Sequence, residues 1–321
     1  MSDPLPPLLT DARRAPKPIG PLTGRRSWLR RVMAQTAATL NRTLDLLPPG
    51  RWLHRRAQRR LEFTELQLPL RRGGQGLDGL RLAFLSDMHA GSFMNEQDLL
   101  QIFEQVAALA PHVVLLGGDL INTRERELLQ YRRPLQALRP PLGVFAVPGN
   151  HDHFHGRDIG LWSAFLRDQG VEVLRNRGMR LSWNGSSLWL CGVDDLTEGE
   201  PDLRRALEGR EPHEPTILLS HHPDFFFEAA AADIDLTLSG HTHGGQIRIG
   251  NWAPIHHSRF GYERGWFETA GCKLYVGRGV GVTVLPIRIG ATPEIPIVRL
   301  QVPVAAPAPA LPAAKAGDAR P

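Results

Sequence analysis

Short apolar runs that each end in a polar cluster constrain this chain more than any other feature of its sequence. Residues 80–86, 113–116, 144–147, 216–219 and 236–239 are strand-length stretches of mainly aliphatic residues. Each leads into polar residues: Asp87-Met88-His89, Gly117-Gly118-Asp119, Pro148-Gly149-Asn150-His151-Asp152, Ser220-His221-His222-Pro223 and Gly240-His241-Thr242-His243-Gly244-Gly245. Helical patterns at 96–109, 124–138 and 160–169 alternate with these strands, and further strands are expected at 62–70, 171–174, 179–183, 187–191, 274–276 and 295–301. Strands alternating with helices predict an α/β core whose sheet faces are covered by helices. Ligands of open α/β sheets bind beyond the carboxyl ends of the strands, so five polar clusters there predict one shared site.

The residue types narrow the chemistry. Asp-x-His and His-x-His in an extended segment direct two side chains the same way, toward one centre. Carboxylate, imidazole and amide oxygen together suit Mn²⁺, Fe²⁺ or Zn²⁺ better than Ca²⁺ or Mg²⁺, which favour all-oxygen shells. Asp87, His89, Asp119, Asn150, His221, His241 and His243 are seven candidate ligands, more than the four of a structural zinc. Such a supply fits two divalent ions about 3.5–4 Å apart. Taken singly, Asp-x-His arises by chance, Gly-Gly-Asp is a common turn, and a His before Pro223 can be a helix cap. Two histidines among three glycines in Gly-His-Thr-His-Gly-Gly pack nothing and have no such bland reading.

Charge divides the chain unevenly. Of 38 Lys and Arg against 33 Asp and Glu, residues 1–60 hold 13 and 3, which leaves 25 and 30 for the remainder. The basic excess therefore belongs to an N-terminal arm, for which anionic lipid or nucleic acid is the matching partner. Residues 1–24 and the Ala/Pro-rich tail 303–321 read as disordered. Residues 25–60 read as a basic amphipathic arm, and two placements are open: peripheral contact with an anionic membrane, or packing on the main domain with a solvated charged face. Residues 61–302 form the main domain. Gly24-Arg25-Arg26-Ser27-Trp28-Leu29-Arg30 looks like a twin-arginine export signal, but Arg42 and Asp45 interrupt the apolar stretch that should follow. The location expected is cytoplasmic or peripheral at the cytoplasmic membrane, with export as the alternative. No run of about 18 apolar residues occurs, and two cysteines, Cys191 and Cys272, make no disulfide framework.

The ordered set Asp-x-His, Gly-Asp, Gly-Asn-His-Asp, His-His and Gly-His-Thr-His resembles the calcineurin-like metallophosphoesterase superfamily, over roughly residues 78–302. The resemblance implies a four-layer α/β/β/α sandwich with two mixed β-sheets. It assigns Asp87, His89 and His243 to one metal, Asn150, His221 and His241 to a second, and Asp119 to both. It implies that His151 protonates the leaving-group oxygen or stabilises the phosphorane, that Asp152 orients His151, and that a metal-bridging hydroxide attacks phosphorus. Val276-Gly277-Arg278-Gly279-Val280-Gly281, Leu285-Pro286-Ile287-Arg288 and Pro293-Glu294-Ile295 resemble a bacterial branch of membrane-associated or exported phosphohydrolases. Some members of that branch act on UDP-diacylglucosamine. The expected substrate is thus a phosphorylated small molecule or a lipid-linked precursor carrying a phosphodiester, phosphomonoester or pyrophosphate bond. A non-catalytic metal-binding scaffold and a nuclease are the alternatives; the acidic balance of residues 61–321 argues against nucleic acid. Arg248 and Arg278 are further candidates for a second phosphate, His222 for a substrate contact or a helix cap, His153 and His155 for exposed loop positions, and Phe225-Phe226-Phe227 for core. The sequence leaves the oligomeric state open.

Overall fold

The computed structural model describes residues 36, 52, 56, 58–91, 93–153, 159–250, 252–254, 256–283 and 285–302. The expectations for 1–24, for most of 25–60, for His155 and for 303–321 lie outside the described residues.

Twelve strands and five α-helices alternate in the described residues. In chain order they are β1 (Glu62–Pro69), β2 (Arg81–Leu85), α1 (Glu96–Ala108), β3 (Val113–Leu116), α2 (Arg132–Ala137), β4 (Val144–Ala146), α3 (Ile159–Asp168) and β5 (Val171–Val173). There follow β6 (Arg177–Trp183), β7 (Ser186–Gly192), α4 (Leu203–Ala206), β8 (Thr216–Leu219), α5 (Phe226–Ala231), β9 (Leu236–Ser239), β10 (Gly265–Thr269), β11 (Cys272–Val276) and β12 (Glu294–Gln301). They make two six-stranded sheets, ordered β1-β12-β2-β3-β4-β5 and β10-β11-β9-β8-β7-β6. Both are mixed. β2, β3, β4 and β5 run parallel in the first, with β12 antiparallel to β2; β7, β8, β9 and β11 run parallel in the second, between antiparallel β6 and β10.

Three apolar layers hold these sheets in a four-layer α/β/β/α sandwich. Leu82, Phe84, Val113 and Leu115 of the first sheet pack against Leu188, Leu190, Ile217 and Leu236 of the second. On the outer faces, Leu99, Phe103 and Trp162 of α1 and α3 cover Ala83, Leu85 and Val114, while Phe226 and Ala229 of α5 cover Cys191, Leu218 and Leu274. Covered on both sides, β3, β8 and β9 are buried along their whole length; β3 therefore reads as an unbroken apolar run, whereas β9, Leu-Thr-Leu-Ser, buries Thr237 and Ser239 together with its leucines. β1 lies at the sheet edge and alternates exposed and buried positions.

Two local expectations change. The helix expected at 124–138 is split into a 3-10 helix, Glu125–Tyr131, followed by α2. Pro134 has no N–H for the Gln130 carbonyl and its ring crowds that position, so a continuous α-helix cannot form. Glu127 instead turns its carboxylate back to accept from the N–H groups of Asn122, Thr123 and Arg124. Strand β10 was not expected, because it is only half buried at the edge of its sheet. Phe225 and Phe226 are core, as read, whereas Phe227 is exposed. Cys191 is fully buried on β7, and burial pushes its thiol up to about 12, so it is an inert packing residue.

Candidate metal centre

The loops leaving β2, β3 and β4 in one sheet and β8 and β9 in the other bring the predicted residues together. His89 Nε2 lies 3.0 Å from His243 Nε2 and 3.6 Å from Asp119 Oδ2. His243 Nε2 is 3.6 Å from Asp87 Oδ1, and His221 Nε2 is 3.3 Å from Asp119 Oδ2. His241 Nδ1 is 2.8 Å from Asn150 Oδ1, and its ring stands edge-on to His221 at 5.3 Å. All seven predicted ligands therefore fall in one continuous cluster, in which Asp119 faces both His89 and His221.

The backbone that achieves this is not the extended segment expected of Asp-x-His and His-x-His. Asp87, His89, Asp119, His241 and His243 all have positive φ, between 47° and 70°. Left-handed backbone costs a non-glycine residue roughly 1–3 kcal/mol and persists only where the surroundings enforce it. Here neighbouring loops supply the enforcement: the Asp87 N–H donates to the Gly118 carbonyl, the His89 N–H to the Asp119 carbonyl and the His241 N–H to Asp87 Oδ1. Glycine is required at two adjoining points. A Cβ on Gly149 would collide with Asp119 Oδ1, and one on Gly240 with Asp87 Oδ2.

Hydrogen bonds set which ring nitrogen is available. A carbonyl only accepts, so His221 Nδ1 donates to the Gly117 carbonyl at 2.8 Å and turns Nε2 toward Asp119. Burial alone would lower this ring, but the Asp119 and Asp87 charges outweigh it and hold the ring well above its usual range, so Nε2 carries a proton or a cation. A lone pair and a carboxylate repel unless a cation or proton lies between them. Asp87 Oδ2 and His221 Nε2 are both buried and lack an aligned hydrogen-bond partner. Burial lowers His89 to about 3 and lowers His241 and His243 well below the usual range, so these rings are neutral. Burial alone would raise Asp119, but His221 and His151 outweigh it and hold the carboxyl well below its usual range. Neutral imidazoles and an ionised carboxylate are the protonation states that ligate a metal. Three residue triads, Asp87–His89–His243, His89–Asp119–His151 and Asp87–Asp119–His221, each bring their donor atoms within 4.8 Å of one another.

His151 stands beside this cluster, its ring edge-on to His89 at 4.5 Å. Its N–H donates to Asp119 Oδ1 at 2.8 Å, and its Nδ1 donates to the Asn122 carbonyl at 2.7 Å, so proton exchange is confined to Nε2. The expectation that Asp152 orients this ring is corrected, because the ring's partner is the Asn122 carbonyl. Asp152 is fully buried and accepts from the N–H groups of Gly149, Leu120 and Ile121. It pins the two loops that carry Asp119 and His151. Burial and the Asp119 charge raise its carboxyl to about 6.

The other candidates divide. Arg278 pairs with Glu62 and Glu294, and Arg248 donates to the Gly250 and Gly244 carbonyls, so both hold loops together. The arginine that reaches the centre is Arg288, with Nη2 3.1 Å from His243 Nδ1 and further bonds to the Gly281, Arg278 and Ala291 carbonyls. Only its place in the Leu285–Arg288 motif pointed to it in the sequence. His222 caps the 3-10 helix Pro223–Phe225 by accepting the Asp224 N–H on Nδ1, which leaves the proton of the neutral ring on Nε2. That ring lies 4.2 Å from His241, so the cap also packs beside a predicted ligand. His153 is not an exposed loop residue: it is tied to the buried Asp194 at 2.7 Å. Burial alone would raise Asp194, but the His153 hydrogen bond and charge, with Arg175, hold it at about 2. His257, whose ring is 5.7 Å from His241, had no motif to single it out.

Comparison with known proteins identifies the family. Residues 80–245 match the family described as calcineurin-like phosphoesterase. The chain is 32% identical over 248 residues to the metallophosphoesterase YkuE of Bacillus subtilis (strain 168), covering 75% of this chain and 86% of that one. It is 34% identical to a Bos taurus transmembrane protein with metallophosphoesterase domain, covering 74% of this chain and 56% of that one. A Helicobacter pylori (strain J99 / ATCC 700824) metallophosphoesterase is 34% identical, with 69% and 60% covered. The chain thus spans little more than half the length of the latter two relatives. Among solved structures, a phosphopantetheinyl hydrolase from Mycobacterium tuberculosis matches with 14% identity and a TM-score of 0.39 over 64% of this chain and 91% of that one. On the family match and these identities, the chain belongs to the calcineurin-like phosphoesterases and is a metal-dependent phosphoric ester hydrolase.

Proposed function

We propose that the chain hydrolyses a phosphodiester, phosphomonoester or pyrophosphate bond at a centre built for two divalent ions. Mn²⁺, Fe²⁺ and Zn²⁺ are the ions its mixed nitrogen and oxygen donors suit. The observation that carries the reading is the buried donor cluster itself, in which Asp119 faces His89 on one side and His221 on the other. Asp87, His89, Asp119 and His243 would hold one ion, and Asp119, Asn150, His221 and His241 the other. Such a pair supplies positive charge against the phosphoryl oxygens and acidifies an attacking water. The protein's own part is to keep three imidazoles neutral, to fix His151 with its exchangeable proton on Nε2, and to hold the loops that carry Asp119 and His151 together through Asp152. His151 is the proton donor to the leaving oxygen in this reading, and Asp152 is a positioning residue.

Chelation should abolish hydrolysis of bis-p-nitrophenyl phosphate, and Mn²⁺ should restore it. Activity that survives exhaustive chelation would sink the metal mechanism. Inactivity with every divalent ion would favour the scaffold reading, and cleavage of DNA or RNA in preference to the ester would favour a nuclease.

The same reading places the substrate on a lipid-linked or envelope precursor, such as UDP-diacylglucosamine, with residues 61–302 as the catalytic domain. Residues 25–60 would act as a peripheral membrane arm, at the cytoplasmic face or, with export, beyond it. The support is the strongly basic composition of residues 1–60. Among the described residues, no helix is long and apolar enough to cross a membrane. Deleting residues 1–60 should weaken liposome binding and leave hydrolysis of the soluble ester intact; unchanged liposome binding would remove the arm from the proposal.

A further inference from the structure

Beside the metal centre the chain carries an apolar rim that the hydrolytic reading does not use. After His243 the backbone runs through Gln246 into a short ladder. Ile247 bridges Ile289 in parallel, and Ile249 bridges Trp252 in antiparallel across the turn at Gly250. The bonds are well formed: Arg248 N–H to the Ile289 carbonyl at 2.8 Å, Ile289 N–H to the Gln246 carbonyl at 2.9 Å, and Ile249 N–H to the Trp252 carbonyl at 2.9 Å. Bridge partners present their side chains on one face, as do residues two apart in a strand. Ile249, Trp252 and Ile289 therefore share a face, and they are 75%, 63% and 50% exposed. They are large side chains left in water on a ladder that is otherwise fixed by backbone hydrogen bonds.

Arg248 is buried and Arg288 is turned in on His243 and backbone carbonyls, so the charges left at the surface of residues 246–264 and 281–292 are those of Arg259 and Arg264. Glu263, the one acid in those two segments, is buried and accepts from the His257 N–H. Arg259 is exposed, and Arg264 reaches the Gly290 carbonyl at 3.2 Å beside Ile289. The ladder adjoins the catalytic cluster directly. Gln246 N–H donates to the His243 carbonyl at 3.0 Å, and Arg288, one residue before Ile289, contacts His243 Nδ1.

We infer that this rim docks on an anionic bilayer and sets the metal centre at headgroup level. The inference rests on the phosphoesterase reading and names the surface from which that site draws its substrate. A tryptophan with aliphatic neighbours and flanking arginines is the composition that partitions to a membrane interface, the ring at the headgroups and the guanidinium groups on lipid phosphates. A stable protein partner would need about 800 Å² on each side, more than three side chains supply, whereas shallow insertion needs only those side chains and the surrounding charge.

The test uses the full chain and vesicles of phosphatidylethanolamine with or without phosphatidylglycerol. Ile249→Ser/Trp252→Ser should bind the anionic vesicles at least tenfold more weakly than the natural sequence and hydrolyse bis-p-nitrophenyl phosphate at the same rate. A variant with Arg25, Arg26, Arg30 and Arg31 changed to Gln is measured in parallel. If the arm variant loses binding and the rim variant keeps it, the rim inference fails while the arm and the hydrolase reading stand. Binding that ignores phosphatidylglycerol, or a dimer that the rim substitutions turn into a monomer, also overturns it. Loss of ester hydrolysis in the natural protein would instead strike the phosphoesterase reading, independently of vesicle binding.

Discussion

Asp119→Asn is expected to lower hydrolysis of bis-p-nitrophenyl phosphate by about 10³-fold or more, the largest effect of any single polar substitution in the centre. The asparagine keeps an Oδ1 that accepts the His151 N–H, now made at 2.8 Å, so the turn carrying His151 is preserved. What disappears is the charge on Oδ2, which faces His89 at 3.6 Å and His221 at 3.3 Å. In the proposed two-ion centre Asp119 would be the carboxylate on which both ions depend, and the Lewis-acid stabilisation it would anchor is worth several kcal/mol, at about 1.4 kcal/mol per tenfold in rate. Steady-state kinetics in excess Mn²⁺ and elemental analysis of the gel-filtered protein check this together. The variant should hold less than the natural metal content. A loss below tenfold with full metal content would mean that Asp119 serves the turn and not the ions.

Much of this centre was legible in the sequence because the information is local. Each ligand sits within a few residues of the carboxyl end of a short apolar strand, and strands buried on both faces announce themselves as unbroken apolar runs. The fold class follows from the same runs, since strands alternating with helical patterns leave few ways to cover a sheet. Local patterns do not report which partner a side chain finds across the molecule. Arg248, Arg278 and Arg288 look alike in sequence, yet Glu62 and Glu294 engage Arg278, while backbone carbonyls take Arg248. Arg288 alone of the three contacts a predicted ligand, His243. His153 read as an exposed loop residue because its partner, Asp194, lies 41 positions away. The left-handed backbone at Asp87, His89, His241 and His243 was equally hidden, because Asp and His, although enriched there among non-glycine residues, adopt it rarely, and neighbouring loops impose it here.

His151→Ala is expected to cost about 10²–10⁴-fold in kcat on an alkyl phosphodiester, the range for loss of a general acid, while the metal content stays that of the natural protein. The second half of that outcome separates the role from that of a ligand. His151 Nδ1 is committed to the Asn122 carbonyl, and its Nε2 is the nitrogen able to give a proton. Its ring meets His89 edge-on, next to the donor cluster, and His151 also belongs to a triad, with His89 and Asp119, that could bind an ion. Leaving groups decide between the two roles. p-Nitrophenolate departs without protonation, so the variant should lose little on a p-nitrophenyl ester compared with an alkyl phosphodiester, whose alkoxide cannot leave unprotonated. A ligand would depress both substrates alike, because each needs the same ions to polarise phosphorus. Equal losses on the two esters, accompanied by lost metal, would therefore move His151 from the proton-transfer role into the coordination shell. Unequal losses with both ions retained would make it the residue that turns a metal-binding cluster into a hydrolase.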